Sequence, residues 1–85
     1  MVPIEDAIDL HAFAPRDIPA VVEDYVEAAH AAGFGEVRIV HGRGIGVQRA
    51  AVQRVLARHP LVAGVHDAPP ERGGLGATIA RLRPR

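Results

Sequence analysis

The chain has no cysteine, serine, lysine, asparagine or tryptophan, one threonine (Thr78) and one tyrosine (Tyr25). Without cysteine there is no disulfide framework and no thiolate metal site. The missing serine, cysteine and lysine remove the usual covalent nucleophiles, so chemistry here rests on acid–base groups or on a nucleophile carried by the substrate. Long apolar runs are absent too. The opening MVPIEDAIDL carries an early acidic pair and reads as neither a signal peptide nor a membrane span, so a soluble, cytoplasmic protein is expected.

What is present favours a folded globule. Of 85 residues 48% are hydrophobic, enough for one domain over 1–85 with a core from about 4 to 82. All ten basic residues are arginine, the side chain whose planar fork suits phosphate. Residues 1–36 hold eight acids against Arg16 alone, and residues 37–85 hold nine arginines against Asp67 and Glu71. Such asymmetry suggests one basic face, a footprint for nucleic acid, unless folding intermixes the charges.

Periodicity gives the order β-α-β-α-β-β. IEDAIDLH (4–11) reads as a strand with Ile8 and Leu10 on one side and Asp9 and His11 on the other. Ile18, Val21, Val22, Tyr25, Val26 and Ala29 recur at helical spacing, with Pro15 suited to a helix start and Gly33 to a stop. EVRIVH (36–41) is a second strand. VQRAAVQRVLARH (47–59) is a second helix with Val47, Ala51, Val52, Val55 and Leu56 inward. LVAGVHD (61–67) and ATIARL (77–82) are strands flanking the loop APPERGGLG. That loop is too short for a crossover helix, so the last strand runs antiparallel in a mixed four-stranded sheet.

This topology gathers DLH, HGRGIG and GGLGAT at one sheet edge, where ligands of open α/β sheets bind. Asp9 is placed to orient His11 or hold its proton, and His41 ends the neighbouring strand. Two imidazoles near an anion are what acid–base cleavage of a phosphodiester needs. The glycines after His41 let backbone N–H groups approach an anion at a helix start, and Arg43 adds a charged fork. The turn is neither a dinucleotide fingerprint nor a P-loop. His30 and His59 fall near helix ends, His66 falls in a strand, and no histidine pair has the spacing of a compact metal motif.

The ordered trio IDLH (8–11), HGRG (41–44) and GGLGAT (73–78), with Pro60–Gly64 as PLVAG, resembles the small MutS-related (Smr) domain over about Ile8 to Leu82. Ala12 departs from the glycine that often follows the histidine in that family. The resemblance implies a two-layer α/β sandwich with two helices on one sheet face and the last strand inside the sheet, similar to the C-terminal domain of translation initiation factor three. It also implies nucleic-acid binding and endonuclease activity, cleaving RNA or nicking DNA.

On this reading Asp9, His11 and His41 are the catalytic candidates, and Gly42, Arg43, Gly44, Gly46, Gly74, Gly76 and Thr78 the phosphate-binding ones. No cofactor is expected, with a divalent ion such as magnesium entering only if DNA is the substrate. RNA is favoured over DNA as the partner, the reading leaves room for ribosome association, no membrane is involved, and the oligomeric state is open. The rival functions are a non-catalytic nucleic-acid-binding module and a small-molecule phosphate sensor.

Overall fold

Val37 and Ile39 are fully buried while Glu36 is exposed, and this alternation makes Glu36–Val40 the strand β2 at the middle of the domain. The computed structural model describes residues 4–44 and 47–85. Its remaining elements are strand β1 (Ala7–Asp9), helix α1 (Ile18–Ala31), helix α2 (Val47–Arg58), strand β3 (Val62–Asp67) and strand β4 (Ala77–Leu82). The four strands form one mixed sheet in the order β1-β2-β4-β3. β1 runs parallel to β2, and β4 lies antiparallel between β2 and β3. The expected fold class is therefore the observed one.

The helices form from the stripes that the sequence displays. Ile18, Val22, Tyr25, Val26 and Ala29 are the buried face of α1, and Val52 and Leu56 are fully buried on α2. They pack on Val37, Ile39, Val62, Ala80 and Leu82 to make the main core on one face of the sheet. The C-terminal end of α1 is closed by Gly33 at φ +91°, with Gly33 N–H bonding the His30 carbonyl at 3.0 Å. The Tyr25 hydroxyl donates to the Glu5 carbonyl at 2.6 Å, which ties the segment before β1 onto α1. Burial pushes the Tyr25 phenol up to about 12.

On the opposite sheet face, Ala68, Ala77 and Ile79 form a smaller cluster with Val40. The segment between β3 and β4 contains two 3-10 turns, Pro70–Arg72 and Gly74–Gly76. Arg38 anchors it by donating to the Arg72 carbonyl at 3.0 Å, and Arg72 pairs with Glu36 at 3.0 Å. Among the described residues no helix is long and apolar enough to cross a membrane.

The first strand is shorter than the alternation predicts. It stops at Asp9, and Leu10–Ala12 is a 3-10 turn capped by the Asp9 side chain, which accepts the His11 N–H at 2.9 Å. An aspartate that bonds the backbone two residues on offers the chain an alternative to the sheet ladder, and here that alternative wins. The second strand likewise ends at Val40, one residue before His41.

The charge asymmetry is also reshaped by folding. Acidic Glu23 and Glu27 of α1 share a surface groove with Arg58 of α2, and Glu23 and Arg54 share the adjoining one. The helix layer is thus mixed in sign, and the basic half of the sequence does not become one uniform basic face.

Candidate phosphate site

The sheet order sets three segments side by side: the turn after β1, the turn after β2, and the glycine loop before β4. Asp9 and His11 meet in the first. His11 Nδ1 contacts Asp9 Oδ1 and the His11 backbone N–H donates to the same oxygen, so one carboxylate fixes both ring and main chain. These two bonds, the backbone one foremost, hold the Asp9 carboxyl below the usual carboxylate range. With Nδ1 turned to the acid, Nε2 is the nitrogen over the Gly42 turn, and the side chain is 69% exposed.

Gly42 supplies the seat for that ring. It adopts φ +83°, and a Cβ built there would lie 3.4 Å from His11 Nε2. A side chain at 42 would therefore be strained in its own backbone and would stand against that nitrogen. The Gly42 and His41 N–H groups both donate to the Gly76 carbonyl, at 2.9 and 3.0 Å, which staples the second segment to the third. Arg43 lies along the glycine loop: its guanidinium is 3.0 Å from where a Gly74 Cβ would be, and its Cγ is 3.3 Å from a Gly76 Cβ. Gly74 and Gly76 are buried, and Arg43 is exposed. Gly44 is exposed, with nothing near its Cβ position. Gly46 and the expected inward position of the Val47 side chain lie outside the described residues.

His41 sits differently. It is 4% exposed and has a partner on each ring nitrogen: the Gly42 carbonyl at 3.0 Å on Nδ1 and Thr78 Oγ1 at 2.8 Å on Nε2. Donor chemistry fixes the directions. A carbonyl only accepts, so Nδ1 carries the proton, and in the neutral ring Nε2 accepts from the Thr78 hydroxyl. Thr78 in turn accepts from Gln53 Nε2 at 3.2 Å, and the same amide donates to Asp67 at 3.0 Å. Asp67 receives Arg49 through two bonds of 2.8 Å each. The Arg49 bonds, ahead of those from Gln53, lower the Asp67 carboxyl, and Asp67 raises Arg49. This chain of bonds runs from α2 across β3 and β4 to the turn after β2, and it leaves His41 with no free nitrogen.

Of the expected site residues, then, the fold brings Asp9, His11, Gly42, Arg43, Gly74 and Gly76 together at one sheet edge, with His11 against Asp9 and Gly42 and Arg43 against Gly74 and Gly76. His41 and Thr78 lie buried as a hydrogen-bonded pair. Sequence reasoning missed Gln53 and Asp67 as partners of this site. Arg49 and Gln53 are four apart and so share a helix face. The pairing of Asp67 with Thr78 is a matter of register that no local pattern supplies. Elsewhere, His59 Nδ1 accepts the Leu61 N–H at 3.1 Å, and His66 lies exposed on β3. Among the described residues no three His, Asp or Glu side chains converge as a metal would require.

Fold and sequence place this α/β sandwich in one family. A family profile described as the Smr domain matches residues 8–83. The endonuclease MutS2 of Halalkalibacterium halodurans is 36% identical over 80 residues, covering 94% of this chain and 10% of that protein. The endonuclease MutS2 of Thermus thermophilus is 36% identical over 77 residues, 91% of this chain and again 10% of the relative. The chain thus spans about a tenth of the length of the curated relatives it matches. Among solved structures, the Smr domain of T. thermophilus MutS2 superposes with a TM-score of 0.88 at 35% identity, over 94% of this chain and 100% of that one. YdaL, a stand-alone small MutS-related protein from Escherichia coli, gives 0.86 at 28% identity, over 95% of this chain and 66% of that one. The chain belongs to the Smr domain family.

Proposed function

We propose that this domain is a nucleic-acid endonuclease that cleaves RNA by acid–base chemistry at the Asp9–His11 pair, without a metal ion. One observation carries the reading: an exposed imidazole has one nitrogen fixed by a carboxylate and the other over a glycine turn, beside an arginine laid along a glycine loop. Kinship with proteins named as endonucleases supports the reaction class.

RNA brings its own nucleophile, the 2′-hydroxyl, which suits a chain without serine, cysteine or lysine. His11 Nε2 takes the 2′-hydroxyl proton as that oxygen bonds to phosphorus, and the bond to the 5′-oxygen breaks. Asp9 stabilises the resulting imidazolium through Nδ1–H, as a carboxylate partner does for a catalytic histidine. Water in the open cleft protonates the departing 5′-oxygen, while Arg43 and the turn after β2 hold the phosphate. His41, with both nitrogens engaged, shapes the turn and transfers no proton itself. Asp67 is committed to Arg49 and Gln53, so among the described residues Asp9 alone offers a carboxylate here, too few oxygens for a pair of magnesium ions.

End-group analysis of cleaved RNA tests this. The expected products carry a 5′-hydroxyl and a 2′,3′-cyclic phosphate. A single 2′-deoxy substitution at the cut should stop the reaction, and excess EDTA should not. Cleavage that survives the deoxy substitution and dies in EDTA means a metal-activated water, with Asp9 as a ligand and DNA as a substrate. The buried state of His41 also favours a second reading, a module that grips phosphate without cutting. Tight binding with no product on either RNA or DNA selects it.

A further inference from the structure

Two large apolar side chains stand out in solvent among the described residues, Phe13 at 39% and Leu75 at 56% exposure. Single exposed apolar residues are ordinary on protein surfaces, so the fact alone means little. Their positions mean more. Phe13 closes the 3-10 turn that carries His11, its N–H bonded to the Leu10 carbonyl at 3.1 Å. Leu75 lies between Gly74 and Gly76, the two glycines that hold the Arg43 side chain. Those glycines are buried and Leu75 is not: a backbone with Gly73 at φ +117° and Gly74 at φ +54° tucks its glycines under Arg43 and leaves the leucine out.

The sheet order β1-β2-β4 puts Phe13 beyond the first of these strands, Arg43 beyond the second and Leu75 before the third. Two strand spacings, about 10 Å, separate the outer pair of segments. The middle segment thus carries a cation and each outer segment an exposed apolar residue. That combination matches a nucleic acid with its bases out. A strand without a partner offers base faces on both sides of each phosphate, and apolar or aromatic side chains accept any base by stacking. A duplex keeps its base faces inside its own stack and meets such a cleft with phosphates alone.

We propose that Phe13 and Leu75 receive unpaired nucleobases on either side of a phosphate held at Arg43, so that the cleft selects single-stranded or looped RNA over duplex. This rests on the phosphodiester reading above, and the test separates the two. Binding is measured by fluorescence anisotropy with a labelled unstructured RNA and with a hairpin whose stem contains the same sequence. The unstructured strand should bind tighter. Phe13→Ala should weaken it by about 5- to 150-fold, the range of one lost base stack. Phe13→Trp should restore binding, and Leu75→Ala should cost less than Phe13→Ala. Neither alanine variant should change binding to the stem or the slope of log affinity against log salt, because no phosphate contact is lost. Arg43→Ala should weaken both ligands and flatten the slope on the single strand by about 0.7.

If Arg43→Ala leaves affinity and slope intact, the phosphate reading itself has failed. If Arg43→Ala behaves as stated but Phe13→Ala and Leu75→Ala bind the unstructured strand like wild type, or lose both ligands equally, stacking alone is overturned. Dimerisation of the wild-type protein that disappears in Leu75→Ala also overturns it, by giving the apolar pair to a second copy of the chain.

Discussion

His11 and His41 follow the ends of neighbouring parallel strands, and the fold treats them in opposite ways. His11 stands in solvent with one nitrogen on a carboxylate and the other over the Gly42 turn. His41 is sunk in the sheet edge with a partner on each nitrogen, at the end of a bond chain reaching Arg49. A histidine that must move a proton needs an unengaged nitrogen and access to substrate. A histidine that must hold a turn needs neither. Two histidines on adjacent strand ends look equivalent in the sequence, and the difference between them is one of hydrogen-bond accounting.

The largest expected effect breaks the comparison at His11. His11→Ala should lower RNA cleavage by about 10²–10⁴-fold, the worth of one well-placed base, while thermal unfolding stays at the wild-type midpoint. A lowered midpoint would show that the exposed pair also carries the fold.

His41→Ala should act on stability first. It leaves the buried Thr78 hydroxyl without its acceptor, which costs about 1–3 kcal/mol before any cavity is counted. For a domain of this size, each kcal/mol lowers the melting temperature by about 4–8 °C, which calorimetry resolves. Gln53→Leu, two links further along, should cost about 1–3 kcal/mol for its two lost bonds. His41 should keep its Nδ1–H tautomer, because the Gly42 carbonyl still accepts from Nδ1 and the Thr78 hydroxyl still donates to Nε2. Tautomer exchange in imidazole ¹⁵N spectra of Gln53→Leu would mean that Gln53, not these two contacts, orders the ring.

The smallest effects are in the pH limits of stability. Asp9 and Asp67 both sit below the usual aspartate value, so each favours the folded state above that value and loses its contribution as pH falls through the lowered one. Tyr25 is the reverse case. Its phenol is raised from 10.0 to about 12, so its contribution is full below pH 10 and lost as pH climbs towards 12. Alkaline unfolding should therefore track phenolate absorbance, and Tyr25→Phe should remove that coupling.

Much of this was legible in the sequence, for physical reasons that differ by element. ATIARL reads as a strand over 77–82 and is one, a central strand buried at every residue but Arg81. The stripe from Ile18 to Ala29 likewise marks the buried face of α1. Asp9 and His11 were brought together by a strand argument, yet they meet because the strand ends and Asp9 caps a turn. Period-two alternation and a capping turn predict the same neighbours here by different geometry. The burial of His41 was not legible. It follows from the register that sets Ile39 opposite Thr78 and Thr78 opposite Asp67, and registers between distant strands leave no local trace.

The position of β4 carries a consequence for synthesis. It is last in the sequence and central in the sheet, the strand to which β3 pairs on one side and β2 on the other. Until Ala77–Leu82 has left the ribosome, β3 has no partner, the Gly76 carbonyl has no fixed place to receive His41 and Gly42, and Thr78 is not there to hold the ring. Contacts of such long sequence separation close late. A nascent chain stalled anywhere before β4 therefore carries the Asp9–His11 pair without the turns that surround it, and those turns come together in one step when β4 pairs.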